Sequence, residues 1–320
     1  MANAADSPYA TLESLDPRFD ALIAPGTKVD KIADDLEWSE GPLWDVKRKT
    51  LLFSDIPRNV VMQWNADKGV SRFLESSGYT GAAPFTGREP GSNGLTFDAL
   101  GRLTLCQHGD RRISRREADG TMVPMATQFE GKRLNSPNDL VYDKPGALYF
   151  TDPPYGLPGT FKDPGKELGF QGVYRVATDG KITLLTKELT APNGLAFTPD
   201  YKTLYVANSQ KEKPIWVAYP VKPDGSLGAG RVFADVSKYY KEGDGVPDGM
   251  KVDLQGHVFA TGPGGVFVFT PDGTLLGRIL TGVPTANVAW GEDGSTLFIT
   301  ANHRVLRLKT KTQGQMPGAK

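Results

Sequence analysis

The chain is poor in the residues that usually build metal and nucleophile motifs. Its 320 residues include one cysteine, Cys106, and three histidines, His108, His257 and His303. A single cysteine excludes an intramolecular disulfide and a cysteine-based zinc site. Cys106 reads instead as a small apolar core residue. The histidines are scattered and form no HExxH pattern, so any metal site has to be built mainly from oxygen donors. There is no GxSxG serine motif, and Cys106 has no evident histidine partner, which leaves covalent catalysis without a signature.

Net charge is missing too. Lys plus Arg is 37 and Asp plus Glu is 37. That balance argues against nucleic acid or an anionic membrane as a partner held by bulk charge. No apolar run approaches the roughly 18 residues of a membrane span. The first residues, MANAADSPYATLESLDPRFDALIAPG, have neither a basic start nor an apolar core, so they are no intact signal peptide. The expectation is a soluble protein, cytoplasmic or, had a leader been removed, periplasmic, and monomeric or homodimeric. Residues 1–25 read as an arm over the surface, residues 26–310 as the folded domain, and residues 311–320 as a disordered polar tail.

What is abundant is turn and strand. Gly (37) and Pro (24) make up about a fifth of the chain. Between them lie short runs rich in β-branched and aromatic residues, such as LLFSDI, ALYFTD, TLYVAN and GVFVFT. Convincing 3.6-residue periodicity is absent, apart from a possible helical turn at 233–242. A polar residue, then a small or turn residue, then an apolar run recurs at Glu40-Gly-Pro-Leu-Trp, Asn93-Gly-Leu-Thr-Phe, Asn138-Asp-Leu-Val-Tyr, Asn193-Gly-Leu-Ala-Phe and Asp248-Gly-Met-Lys-Val. A sixth unit, TANVAWGEDGSTLFIT, puts Ala286 at the polar position. The mean interval is about 49 residues, a propeller-blade period at three or four strands per unit. Six units predict an all-β, six-bladed β-propeller. The last unit is one strand short, and residues 27–32 (TKVDKI) near the N-terminus are expected to supply its outer strand, closing the ring and removing a free edge.

First strands of a propeller line its channel, so Glu40, Asn93, Asn138, Asn193 and Asp248 are expected to converge at one mouth. Two carboxylates and three amides suit a hard divalent cation: calcium first, with zinc, magnesium, manganese and iron(II) also open. The competing reading makes each Asn or Asp a simple turn residue. Against it, Asp119, Asp179, Asp224 and Asp272 end third-strand segments in plain Asp-Gly turns, whereas Asn138, Asn193 and Asp248 follow Pro and lead into apolar strands. Second strands return to the same mouth, which brings Asp55, His108, Asp152 and Asn208 near it. Arg111, Arg112, Arg115 and Arg116 read as a solvated strand face. Two Gly/Pro-rich insertions, 76–92 and 153–171, read as walls or lids carrying Tyr79, Phe85, Arg88, Tyr155 and Phe161. Substrate contacts are expected from Asn138, Asn93, His108, Asp152, Arg88 and Tyr155.

The ordered set EGPLW, REPGSNGLTFD, LNSPNDLVYD, FTDPPYG, APNGLAFTPD and VPDGMKVD resembles the SMP-30/gluconolactonase/luciferin-regenerating-enzyme family over residues 28–308, and most of all its bacterial gluconolactonase-like branch. The resemblance implies one divalent cation held by Glu40, Asn193 and Asp248, with Asn138 at or beside it. It also implies Asp248 as general base and hydrolysis of sugar lactones. A different lactone, an ester or a phosphotriester on the same site, and a non-catalytic calcium-stabilised binding propeller, are the alternatives.

Overall fold

A computed structural model describes residues 8–318 of the chain. Six antiparallel sheets are arranged as blades around a channel. Inner to outer, blade 1 is Ser39–Asp45, Thr50–Asp55, Val60–Asn65 and Gly69–Glu75. Blade 2 is Ser92–Phe97, Leu103–Gln107, Arg112–Arg116 and Met122–Ala126. Blade 3 starts at Leu140–Tyr142, blade 4 at Pro192–Phe197, blade 5 at Met250–Val252 and blade 6 at Asn287–Gly291. Each sheet twists, and neighbouring sheets bury apolar faces on one another. Aromatic pairs mark those seams: Trp44 stacks on Phe298 with centroids 5.4 Å apart, Tyr149 meets Phe197 at 4.9 Å, and Phe259 meets Trp290 at 4.9 Å. Cys106 belongs to the seam between blades 2 and 3, and burial pushes its thiol well up.

The N-terminus closes the ring. Val29–Ala33 pairs antiparallel with Arg304–Lys309, placing Val29 opposite Leu308 and Asp30 opposite Arg307. This is the outer strand that the repeat count requires. The chain before it contributes more than an arm. Thr11–Ser14 adds a fifth strand to blade 5, opposite Leu275–Leu280, and a short helix, Pro17–Leu22, buries Phe19 and Leu22 in the seam between blades 5 and 6. Asp16 caps that helix by accepting from the Arg18 amide. The expected turn at 233–242 is a 3-10 turn at Ser237–Tyr239. No helix among the described residues is long and apolar enough to cross a membrane.

The tail expected to be disordered is placed against the fold through residue 318. The Lys311 amide donates to the Leu22 carbonyl, the Leu254 amide donates to the Gln313 carbonyl, and Thr312 Oγ1 donates to Asp253 Oδ2 at 2.7 Å. Asp253 also meets His257 Nδ1 at 2.9 Å, so His257 is a structural residue. Residues 315–318 help to line a cavity of about 520 Å³ at the channel end opposite Glu40, together with Trp44, Phe97 and Trp290. Arg111 also departs from expectation. It is buried, and its guanidinium donates to the carbonyls of Leu134, Asn135 and Gly165, clamping blade 2 to the second insertion.

Candidate active site at the channel mouth

Inner strands of three blades break register where the site begins, between Glu40 and Leu43, Ser92 and Leu95, and Pro192 and Leu195. A bulge re-aims the side chains beside it. Hydroxyls of the second strands brace these starts from behind. Ser54 Oγ donates to the Asn93 carbonyl at 2.9 Å, Thr261 Oγ1 to the Gly249 carbonyl at 3.0 Å, and the Asn287 amide donates to Thr300 Oγ1 at 3.0 Å.

Glu40, Asn93, Asn138 and Asn193 are all buried at these starts. Glu40 Oε2 accepts from the Gly41 amide at 2.9 Å. Burial, reinforced by the neighbouring Asp139 charge, pushes Glu40 up to about 8. Asp248 is pushed well up by burial and then by repulsion from Glu40, while a hydrogen bond with Asn193 opposes the shift. Those interactions bring Glu40, Asn193 and Asp248 together although 208 residues separate the first from the last. Asn138 stands one residue from Asp139, and its carbonyl accepts from the Gly94 amide at 2.8 Å. Asp248 Oδ1 and Asn93 Oδ1 are buried with no hydrogen-bond partner. Buried acceptors without donors beside mutually repelling carboxylates fit a cation held by oxygen atoms. Among the described residues no group of three or more His, Cys, Asp and Glu is placed to hold a metal, so the amides have to supply part of the donor set.

Two residues of the channel escape the sequence pattern. Asp139 and Asn287 occupy the position that is glycine in the other four units: Gly41, Gly94, Gly194 and Gly249. Asn287 Nδ2 donates to Glu40 Oε2 at 3.4 Å and to Asp139 Oδ2 at 3.3 Å. Lys251 Nζ lies 3.4 Å from Asn287 Oδ1 and opposes the rise that burial imposes on Asp139. Two of these glycines, Gly94 and Gly249, leave room for these two side chains. A Cβ on Gly249 would stand 1.9 Å from Asn287 Cγ, and one on Gly94 would stand 2.7 Å from Asp139 Oδ1. The signal in the sequence is that unit 3 reads Asn-Asp where others read polar-Gly, and that unit 6 carries its polar residue one place late.

Second-strand ends have a shared architectural use. Asp55 accepts from the Trp38 amide, Asp152 Oδ2 from the Asn135 amide at 2.8 Å, and Asn208 Oδ1 from the Ala191 amide at 3.0 Å. Each fixes the chain two or three residues before a ring position. Asp152, expected beside substrate, is fully buried in this clamp, and burial raises it to about 7. Tyr155 donates to the Ser209 carbonyl at 3.0 Å and packs edge-on against Phe161. Tyr79 packs on Phe85, and Arg88 is exposed. His108 is fully buried, with Nδ1 3.0 Å from Oε2 of Glu89, a residue that the repeat pattern does not single out.

The fold and this mouth define a six-bladed propeller with an acidic, oxygen-rich channel site. Residues 38–303 match the model of the SMP-30/Gluconolactonase/LRE-like region. The chain belongs to that family. It is 42% identical over 315 residues to a gluconolactonase of Zymomonas mobilis, covering 96% of this chain and 88% of the relative. Among solved structures it resembles the gluconolactonase XC5397 of Xanthomonas campestris, with a TM-score of 0.82, 33% identity, and 97% and 99% of the two chains covered. The fold also matches a calcium-binding protein, regucalcin, from Agrobacterium tumefaciens, with a TM-score of 0.70, 21% identity, and 90% and 95% covered. The family relationship supports a lactonase.

Proposed function

We propose that the protein is a divalent-metal-dependent hydrolase that opens sugar lactones. The observation that carries this reading is the pairing of the buried Glu40 with the half-buried Asp248, two carboxylates that repel each other beside a buried Asp248 oxygen with no donor. Glu40, Asn193 and Asp248 would hold the cation, with Asn138 at or beside it. Oxygen donors favour calcium, and zinc, magnesium, manganese or iron(II) are the other fits. The bound cation supplies Lewis-acid polarisation of the lactone carbonyl. It also favours the ionised carboxylates that burial alone disfavours.

Asp248 acts as the base. Its carboxylate takes a proton from water as the water oxygen bonds to the carbonyl carbon. The ring C–O bond then breaks, and the ring oxygen takes that proton from Asp248 to become the hydroxyl of the product acid, which returns Asp248 to its carboxylate form. Asn193 fixes the Asp248 carboxylate, and Asn287 fixes Glu40 from below. Asn138 and Asn93 present amides to the substrate oxygens, and the insertions carrying Tyr155 and Arg88 wall the mouth. The substrate is a small molecule, and neither nucleic acid nor a membrane is a partner in this reading.

The test is hydrolysis of glucono-1,5-lactone above its spontaneous rate, on chelated protein re-supplied with single divalent ions. Turnover restored by an ion supports the reading and names that ion. Loss of thermal stability on chelation with no hydrolysis under any ion would instead support a calcium-stabilised binding propeller. Turnover confined to a phosphotriester or simple ester would keep the site and change the substrate.

A further inference from the structure

Both ends of the insertion at 76–92 are tied to the blades. The Gly91 amide donates to the Ile56 carbonyl, the His108 amide to the Gly91 carbonyl and the Gly109 amide to the Pro90 carbonyl. Asn59 Oδ1 accepts from the Gly78 and Tyr79 amides, and Asp110 holds both the amide and the hydroxyl of Thr80. Blade 2 leaves no slack beneath it, since a Cβ on Gly109 would stand 2.5 Å from Tyr79 Cβ and 2.7 Å from the Pro90 carbonyl oxygen. Glu89 therefore stands directly beside an anchored end of the insertion.

Its position is at the mouth. The Glu89 carboxylate adds to the repulsion on both Glu40 and Asp248, and it bears on the Tyr155 phenol as well. Glu89 keeps 31% of its side-chain surface exposed, so a ligand in the mouth can reach it. Behind it, His108 is completely buried, and neither ring nitrogen has a hydrogen-bond partner. Nδ1 stands 3.0 Å from Glu89 Oε2, but without the alignment of a hydrogen bond. A fully buried imidazole with both nitrogens unpaired is a rare arrangement, and its usual explanation is a group that arrives from outside the chain.

We propose that Glu89, backed by the buried His108, is a hydroxyl-recognition subsite that makes the enzyme select polyhydroxylated lactones over unsubstituted ones. The inference rests on the lactonase reading above and adds to it the part of the substrate that is read. A carboxylate accepts from one or two neighbouring hydroxyls through charge-assisted bonds. His108 has no exposed surface and stands behind that carboxylate, with Nδ1 3.0 Å from Oε2, so it acts on a ligand only through Glu89. A site built to bond hydroxyls discriminates strongly against analogues that lack them, because its own buried polar groups are then left unpaired. Glu89 is a specificity residue in this account, and bond making and breaking stay at the Asp248 end of the mouth.

The experiment compares glucono-1,5-lactone with δ-valerolactone on full-length, calcium-loaded protein, for the wild type and for Glu89→Gln, Glu89→Ala and His108→Asn. The wild type is expected to favour the hydroxylated lactone. In both Glu89 variants KM for gluconolactone should rise about tenfold, with kcat and the thermal midpoint little changed, so the preference ratio shrinks by a similar factor. His108→Asn should shrink the same ratio. Equal losses on both lactones would overturn the inference by making Glu89 a catalytic or general electrostatic group. An unchanged ratio in the Glu89 variants would overturn it outright. Should the wild type hydrolyse neither lactone with calcium or after re-supply with zinc, magnesium, manganese or iron(II), the lactonase reading itself fails and the inference with it, which is a different result from an unchanged ratio.

Discussion

Glu40 and Asp248 lie where burial and mutual repulsion act in the same direction. Both carboxyls are raised in the metal-free fold, Glu40 to about 8 from an ordinary 4.5. The unfolded chain releases these protons first as pH rises, so ionisation favours unfolding across that interval. The contribution of these two groups to the stability of the metal-free protein is therefore greatest below the ordinary carboxylate range, and it is lost as pH climbs from about 4.5 to about 8. Asp152, raised to about 7, adds to the same trend. Thermal midpoints of chelated protein at pH 5 and pH 8 check this, and a flat profile would sink it. Added metal should raise the midpoint more at pH 8 than at pH 5, because the cation replaces the repulsion. Asp248→Asn separates the two roles of that residue. It should lower kcat by roughly a hundredfold to ten-thousandfold, the range for losing a general base. The same variant should raise the midpoint of the chelated protein at pH 8. An Asp248→Asn enzyme with full lactonase activity would show that the base lies elsewhere.

The inner strand is the unit in which sequence and site meet. Its polar-Gly start was legible because the polar residue and the glycine answer to one constraint. The polar side chain turns into the mouth at a register break, and the glycine lets the next blade approach. Gly194 shows how close that approach is, since a Cβ there would stand 2.3 Å from the Asp248 carbonyl oxygen. Gly249→Ala tests the idea directly, because the added methyl overlaps the Asn287 amide group. Overpacking should cost about 1–3 kcal/mol and displace Asn287 from Glu40. Urea unfolding gives the first quantity, and reduced activity at saturating metal reports the second. Where the constraint is met differently, the sequence hides it. Asp139 and Asn287 fill space that Gly94 and Gly249 in the preceding blades leave open, so their role depends on a three-dimensional relation that the side-chain pattern does not record. Glu89 escaped for another reason: it lies in an insertion, and insertions carry no repeat phase. The second-strand carboxylates were foreseen near the mouth, but their use as clamps on the preceding backbone was not. That use depends on which amides point inward, which a side-chain pattern does not record.

Closure of the ring operates on the whole molecule. A propeller blade cannot bury both faces alone, so each seam depends on the two beside it. Only blade 6 draws strands from both ends of the chain, through the pairing of Val29–Ala33 with Arg304–Lys309. Blade 5 borrows from the N-terminus in a weaker sense, because Thr11–Ser14 adds a fifth strand to a sheet that already has four. The two borrowed strands should therefore differ in consequence. Deleting residues 1–14 removes an extra edge strand while Phe19 and Leu22 stay in the seam, so the midpoint should fall by only a few degrees and hydrolysis should persist. Deleting residues 1–33 takes away the closing strand, exposes the backbone edge of Arg304–Lys309 and strips Phe19, Leu22, Ile23 and Val29 from their core cluster, and only the part restored by a strand peptide belongs to closure. An unpaired edge of that length invites association between chains. This shorter chain should unfold at least about 15 °C lower or be recovered only as aggregate, and adding a peptide spanning residues 27–34 should restore part of the midpoint. Similar midpoints for the two deletions would mean that the ring is held by its seams alone and that closure contributes little. Dissimilar midpoints, with rescue by the peptide, would show that pairing of the two ends of the chain carries a large share of the ring's stability.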